Sequence, residues 1–345
     1  MAFSIRPSLS SFMLPSLSSH NRSQKLSAFH LRNGVRESHD FGLKASSFLR
    51  HDGNCMRVMA FGNMSPAATQ EDVLDWVKHD KRRMLHVVYR VGNLDKTIKF
   101  YIECLGMKLL RQRDMPEQRY TNVFLGYGPE DAHFVVELTY NYGIDDYDIG
   151  TGFGHFGLAV DDISRIVELV RAKGGKIIRE PAPVEGGDSI IAFIEDPDGY
   201  KFELVERAPS PEPLCKVMLR VGNLDRSIKF YEKACGMELL RTKENPESKY
   251  TTAILGYGPE EKNTVLELTY NYGVREYDIG DAYAQIAIGT DDVYKTAEAI
   301  ELAGGKITRE PGPVPDLRTK ITSCVDPDGW KIVFVDNVEF RREVL

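Results

Sequence analysis

The stretch RVGNLDKTIKFYIECLGMKLLR, Arg90–Arg111, returns as RVGNLDRSIKFYEKACGMELLR, Arg220–Arg241. The segment FLGYGPE at Phe124 returns as ILGYGPE at Ile254, and ELTYNYG at Glu137 returns unchanged at Glu267. The DPDG turns at Asp196 and Asp326 keep the same shift of 130 positions. A period that long marks a duplicated domain rather than a solenoid of short repeats. The proline-rich ERAPSPEPL, Glu206–Leu214, reads as the joint between the copies.

Within the first copy the order of elements repeats once more. LHVVYRV from Leu85 alternates as a strand does, and LDKTIKFYIECL reads as a helix capped by Asp95 and stopped at Gly106. MKLLRQR, YTNVFLGY and HFVVELTY follow as strands. A second unit opens at HFGLAV from His155, with a helix starting at Asp161 or Asp162 and ending at Gly174-Gly175. It continues with KIIRE, SIIAFIED and YKFELVE, the last two joined across the DPDG turn. The expected fold is therefore α+β: four β-α-β-β-β modules in two tandem domains with curved mixed sheets. The expected bounds are a leader over 1–60 and a short helical extension over 61–83, its helix at Glu71–His79. Domains follow over 84–206 and 215–338, joined by 207–214, with a C-terminal tail over 339–345.

Charge divides along the same lines. The chain carries a formal −7, but residues 1–60 hold eight Lys/Arg against three Asp/Glu, leaving −12 for the rest. An acidic body gives nucleic acid no electrostatic purchase. No apolar run reaches the roughly 20 residues that span a bilayer. The Ser- and Arg-rich, acid-poor leader has the composition of an organellar transit peptide, and its serine content points to the chloroplast stroma before the mitochondrion. A leader without an address is the alternative. The five cysteines show no C-x-x-C spacing, which fits a reducing compartment.

Four side chains in the first copy share a pattern. His86 and Glu137 stand on the first and last strands of one module, and His155 and Glu203 on the matching strands of the next. Two imidazoles and two carboxylates suit a borderline divalent ion, and strands hold such donors rigidly. Taken singly, each has an ordinary reading as a satisfied core histidine or an edge-strand glutamate. Period-two parity puts Arg90 on the face of His86 and Asn141 on that of Glu137, where Arg suits a substrate carboxylate and Asn an amide.

These segments, together with FGHFGLAV and AFIEDPDGYKFELVE, resemble the glyoxalase I (lactoylglutathione lyase) family of the vicinal-oxygen-chelate superfamily, in its plant two-domain, plastid-targeted form. The resemblance covers nearly all of 84–206 and, more weakly, 215–338. It implies isomerisation of the glutathione–methylglyoxal hemithioacetal to S-lactoylglutathione through an enediolate. It implies one divalent ion on His86, Glu137, His155 and Glu203, with Glu203 doubling as acid and base. Glutathione as cosubstrate would meet Arg90 and Asn141, with His155 also beside the substrate. A histidine at the first ligand position implies Ni2+ or Co2+, with Zn2+ the alternative. An iron-dependent ring-cleaving oxygenase and a non-enzymatic small-molecule binder of the same superfamily are the rival readings; the fourth ligand opposes the first and the full donor set the second.

The second copy departs from this set. Its matching positions are Lys216, Glu267, Gln285 and Val333, although Arg220 and Asn271 persist. Such a set cannot repeat the four-ligand site, and the Lys216 ammonium is expected to replace the ion as partner of Glu267. Crossing modules between copies would leave two incomplete sets. The sequence therefore predicts that the first two modules meet directly, with one complete site in the first copy of a monomer.

Overall fold

In this computed structural model the described residues are 69–184, 189–314 and 318–345; the expected leader lies outside them. A helix, α1 (Gln70–His79), opens the described chain, its first turn closed by a reciprocal capping pair between Thr69 and Asp72. Four modules follow in the expected order. The first runs β1 (Met84–Arg90), α2 (Leu94–Glu103), β2 (Lys108–Met115), β3 (Tyr120–Gly126) and β4 (Val135–Asn141). The second runs β5 (Phe153–Val160), α3 (Ile163–Ala172), β6 (Lys176–Pro183), β7 (Ile190–Glu195) and β8 (Lys201–Glu206). The third is β9 (Leu214–Arg220), α4 (Leu224–Lys233), β10 (Glu238–Asn245), β11 (Tyr250–Gly256) and β12 (Val265–Asn271). The fourth is β13 (Tyr283–Thr290), α5 (Val293–Leu302), β14 (Lys306–Pro313), β15 (Lys320–Val325) and β16 (Lys331–Asp336), and α6 (Asn337–Val344) ends the chain.

Two details differ from the sequence reading. Asn93, not Asp95, caps α2, because its side chain reaches the Lys96 N–H while Asp95 already lies in the first turn. The expected C-terminal tail is instead α6, capped by Asp336 and anchored by the buried Phe340.

The modules join across the duplication. The first sheet has the order β14-β15-β16-β13-β1-β4-β3-β2, and the second β10-β11-β12-β9-β5-β8-β7-β6. The antiparallel pairs β1–β13 and β5–β9 carry the join, so module one shares a sheet with module four, and module two with module three. This overturns the expectation that the first two modules share one concavity. Those two touch otherwise. The Tyr101 hydroxyl donates to Asp196 Oδ2 at 2.7 Å, the Gly92 N–H to Asp198 Oδ1 at 2.7 Å, and the Tyr200 hydroxyl to the Arg90 carbonyl at 2.7 Å. The DPDG turn is thus the plug by which one module docks on its neighbour, and the Asp326 turn repeats it against Tyr231 and Gly222.

The crossovers between sheets clasp each other. Thr151 and Gly152 N–H groups donate to the Asp278 carbonyl, and Asp281 and Ala282 to that of Asp148. Gly150 and Gly280 sit at φ 68° and 65°, where a Cβ would lie 2.4 Å and 2.1 Å from those carbonyls; both requirements select glycine. Val87 and Tyr89, opposite in parity to His86, enter the main apolar core. The outermost strands β2, β6, β10 and β14 carry Lys, Arg and Asp or Glu, and β6 and β14 also carry prolines, which discourages further pairing.

Because both sheets need strands from both copies, cutting the chain between 207 and 213 through an inserted protease site should not separate the halves. The expected result is co-elution of the two fragments in gel filtration without denaturant; separate elution would show that the inter-copy strand pairs are not what holds them.

Candidate active site

Strand register decides which side chains share a face. In the first sheet His86 stands opposite Ala287 and Val88 opposite Gln285; Glu137 pairs with Val88, and Val333 with Ala287. Residues directly opposite share a face, so His86, Glu137, Gln285 and Val333 line one concavity. In the second sheet His155 faces Met218, Lys216 faces Gly157, Glu203 pairs with Gly157, and Glu267 with Met218. His155, Glu203, Lys216 and Glu267 therefore line the other.

The four expected ligands are thus divided, His86 with Glu137 in one sheet and His155 with Glu203 in the other. Among the described residues no group of three or more His, Cys, Asp or Glu side chains is arranged around a single cation position. Arg90 and Asn141 go with the first sheet: Arg90 donates to the Asp281 carbonyl and Asn141 Nδ2 to the Tyr147 hydroxyl at 2.8 Å. Their counterparts in the second sheet are Arg220, which donates to the carbonyls of Thr151 and Phe153, and Asn271, which donates to the Tyr277 hydroxyl at 2.9 Å.

The first concavity is sealed. His86 Nε2 lies 3.4 Å from Glu137 Oε2, and the two side chains are 2% and 0% exposed. Neither ring nitrogen and neither carboxylate oxygen has a hydrogen-bond partner among the described residues. Phe124 meets the imidazole edge-on at 6.1 Å, and Phe340 of α6 lies over it at 6.3 Å between centroids. Arg111 stacks on Phe124 and pairs with both Glu130 and Glu343 of α6, fastening that helix across the face. Burial, aided by Arg111 and Arg83, pushes His86 down to about 3, and burial raises Glu137 well above the carboxylate range. Both shifts favour the uncharged forms.

The second concavity is charged and more open. Lys216 Nζ lies 2.8 Å from Glu203 Oε2 and 2.8 Å from Glu267 Oε2, with side chains 16%, 13% and 12% exposed. The expected Lys216–Glu267 contact is present, but in a cluster that draws Glu203 from the first copy. His155 Nε2, 3.3 Å from Glu203 Oε2, lacks a hydrogen-bond partner among the described residues. Burial alone would raise Glu203, but pairing with His155 and Lys216 overrides it and holds the carboxyl well below its usual range. Burial would likewise lower Lys216, yet the two carboxylates hold it above the usual ammonium value. No helix follows β8 to cover this face as α6 follows β16; the linker to β9 follows instead.

The sequence reading missed the closing role of α6 and the composite nature of the second cluster. The visible signal was the apolar Val338 and Phe340 in an otherwise charged segment directly behind an aspartate cap.

The sequence profile of the Glyoxalase/Bleomycin resistance protein/Dioxygenase superfamily matches residues 83–204 and again 214–334. A probable chloroplastic lactoylglutathione lyase of Arabidopsis thaliana is 69% identical over 99% of this chain and 97% of its own length. A lactoylglutathione lyase of Oryza sativa subsp. japonica is 64% identical over 79% of this chain and 96% of its own. The crystal structure of glyoxalase I from Zea mays superposes with a TM-score of 0.77 at 67% identity, covering 78% of this chain and 98% of that one.

If α6 seals the first concavity by packing, Phe340→Ala should destabilise the chain by about 3–5 kcal/mol, as for other buried phenylalanines. Chemical denaturation reads this directly, and a loss below about 1 kcal/mol, the range of a surface change, would mean that α6 rests on the sheet without closing it.

Proposed function

Since the chain belongs to the Glyoxalase/Bleomycin resistance protein/Dioxygenase superfamily and, within it, to the lactoylglutathione lyases, we propose that it isomerises the hemithioacetal of glutathione and methylglyoxal to S-lactoylglutathione in the concavity of the second sheet. One observation carries the choice of concavity. Glu203 is the carboxylate at the last-strand position there, and its counterpart in the first sheet is Val333, which can move no proton. The sealed face over His86 and the accessible one over Glu203 support the same choice.

The residues fit a divalent ion in part. His155, Glu203 and Glu267 offer one imidazole and two carboxylates on one face, with Lys216 between the carboxylates, and the buried His155 Nε2, which faces Glu203 at 3.3 Å without a hydrogen bond, is the kind of atom that metal ligation would satisfy. When bound, the ion supplies Lewis acidity to the two substrate oxygens. Glu203 takes the proton from the carbon bearing sulfur and returns it to the neighbouring carbon, so that the reaction is an isomerisation with no net proton change. Arg220 and Asn271, in place of Arg90 and Asn141, stand on the strands of Lys216 and Glu267 and share their face; they are suited to the carboxylates and amides of glutathione. The preference for Ni2+ or Co2+ rested on a first-position histidine, and that histidine, His86, belongs to the other face. The second-sheet donors suit Zn2+ as well, and metal analysis of the purified chain decides between them.

Both sheets are completed within one chain, which supports a monomer. The leader composition and the name of the Arabidopsis relative support the chloroplast stroma as the site of action.

Glu203→Gln should lower lactoylglutathione formation by about 10²–10⁴-fold, the span of a general acid–base group. Glu137→Gln should stay within a few-fold of the native rate. The reverse pattern, loss with Glu137→Gln and retention with Glu203→Gln, would move the reaction to the first sheet.

A further inference from the structure

We propose that Lys216 is the resident cation of the metal-free second concavity, and that a divalent ion enters by displacing its ammonium. This rests on the reading that the second sheet takes the ion, but it concerns occupancy rather than turnover. Lys216 stands where β1 of the first sheet carries His86. Its Nζ lies 2.8 Å from one carboxylate of the first copy, Glu203, and 2.8 Å from one of the second, Glu267. A single positive centre thus bridges donors from two modules, as a bound metal does. An ion gripped by the same two oxygens, at the usual 2.0–2.2 Å, would lie no more than about 5 Å from that ammonium, where two cations repel in a largely buried site. The two occupants exclude each other, and the flexible four-carbon stem allows the lysine to leave.

The strand opposite runs close to the base of this stem. Lys216 faces Gly157, where a Cβ would lie 2.6 Å from the lysine Cβ and 3.5 Å from its Cδ. The matching pair in the first sheet is His86 against Ala287, so the smaller residue stands across from the longer side chain. While Lys216 is in place, the carboxylates are neutralised and aimed. The stripped site therefore keeps its geometry without metal, and metal affinity falls by the cost of expelling the lysine.

The test uses the full chain stripped of metal and titrated with Ni2+ or Zn2+ against a chromophoric chelator, alongside thermal unfolding of the stripped protein. Lys216→Gln should bind the ion at least about tenfold more tightly, the equivalent of one charge-assisted contact no longer broken. Its stripped form should unfold at a lower temperature than the native chain. Lys216→Arg keeps the positive charge and should stay within about threefold of native affinity. Adding His155→Ala to Lys216→Gln should abolish the gain. Affinity unchanged in Lys216→Gln, equal tightening in Lys216→Arg, or a gain that survives loss of His155 would each overturn the proposal. Failure of the proposed function would show separately, as activity retained in Glu203→Gln.

Discussion

The structure depends on two antiparallel strand pairs, β1 with β13 and β5 with β9. Each module alone is a four-stranded sheet with its first strand at the edge, presenting unpaired backbone groups and an apolar sequence. Leaving that edge open would strand buried N–H and C=O groups and invite association. Pairing it with a first strand from the other copy satisfies the backbone and sets two modules shoulder to shoulder. From that join follows the composition of each concavity. The mutual clasp between the Asp148 and Asp278 carbonyls and the opposing crossovers fixes where the chain passes between sheets, and so which modules can pair.

Once the modules pair this way, the duplication yields two concavities with the same inheritance and different fates. The first keeps His86 and Glu137 but has Val333 in place of the last carboxylate, and α6 closes over it. Burial there favours the uncharged forms of the histidine and the glutamate, and an arginine paired with Glu343 of α6 completes the cover. The second keeps Glu203 and remains open to solvent at its lysine. Burial opposes charge on Glu203 there too, but the pairing with His155 and Lys216 overrides it and favours the ionised carboxylate. A buried carboxylate needs protonation or a positive partner, and the two concavities adopt one solution each.

Much of this was legible in the residues. The repeat, the four modules, α1, the Asp162 cap of α3 and the inward-facing Glu137 and Glu203 all follow from periodicity and capping chemistry. The partner of each first strand was not. Period-two alternation in LHVVYRV fixes which side chains share a face, but says nothing of which edge lies alongside. The sequence argument chose by asking which pairing completed a four-ligand set, whereas the strand joins put His86 and Glu137 in one sheet and His155 and Glu203 in the other. Arg90 and Asn141 stand on the strands of His86 and Glu137 with matching parity, and the proposed reaction draws instead on their counterparts Arg220 and Asn271. The α6 segment was missed because eight residues with one buried aromatic give little periodic signal until a surface is there to receive Phe340.

The positions that diverge between the copies are few and act in pairs across strand joins. His86 faces Ala287 where Lys216 faces Gly157, and Glu203 stands opposite that same glycine where Val333 stands opposite the alanine. The lysine on β9 stands across from the smaller residue on β5, and its charge is matched by Glu267 and by the β8 carboxylate, where the other sheet has Val333. On the first sheet Val333, at the matching position, joins Ala287 and Phe340 in one apolar cluster. Each concavity is therefore internally consistent. The asymmetry between an open, ionised site and a closed, neutral one is thus a property of linked substitutions at the two joins rather than of either sequence copy taken alone.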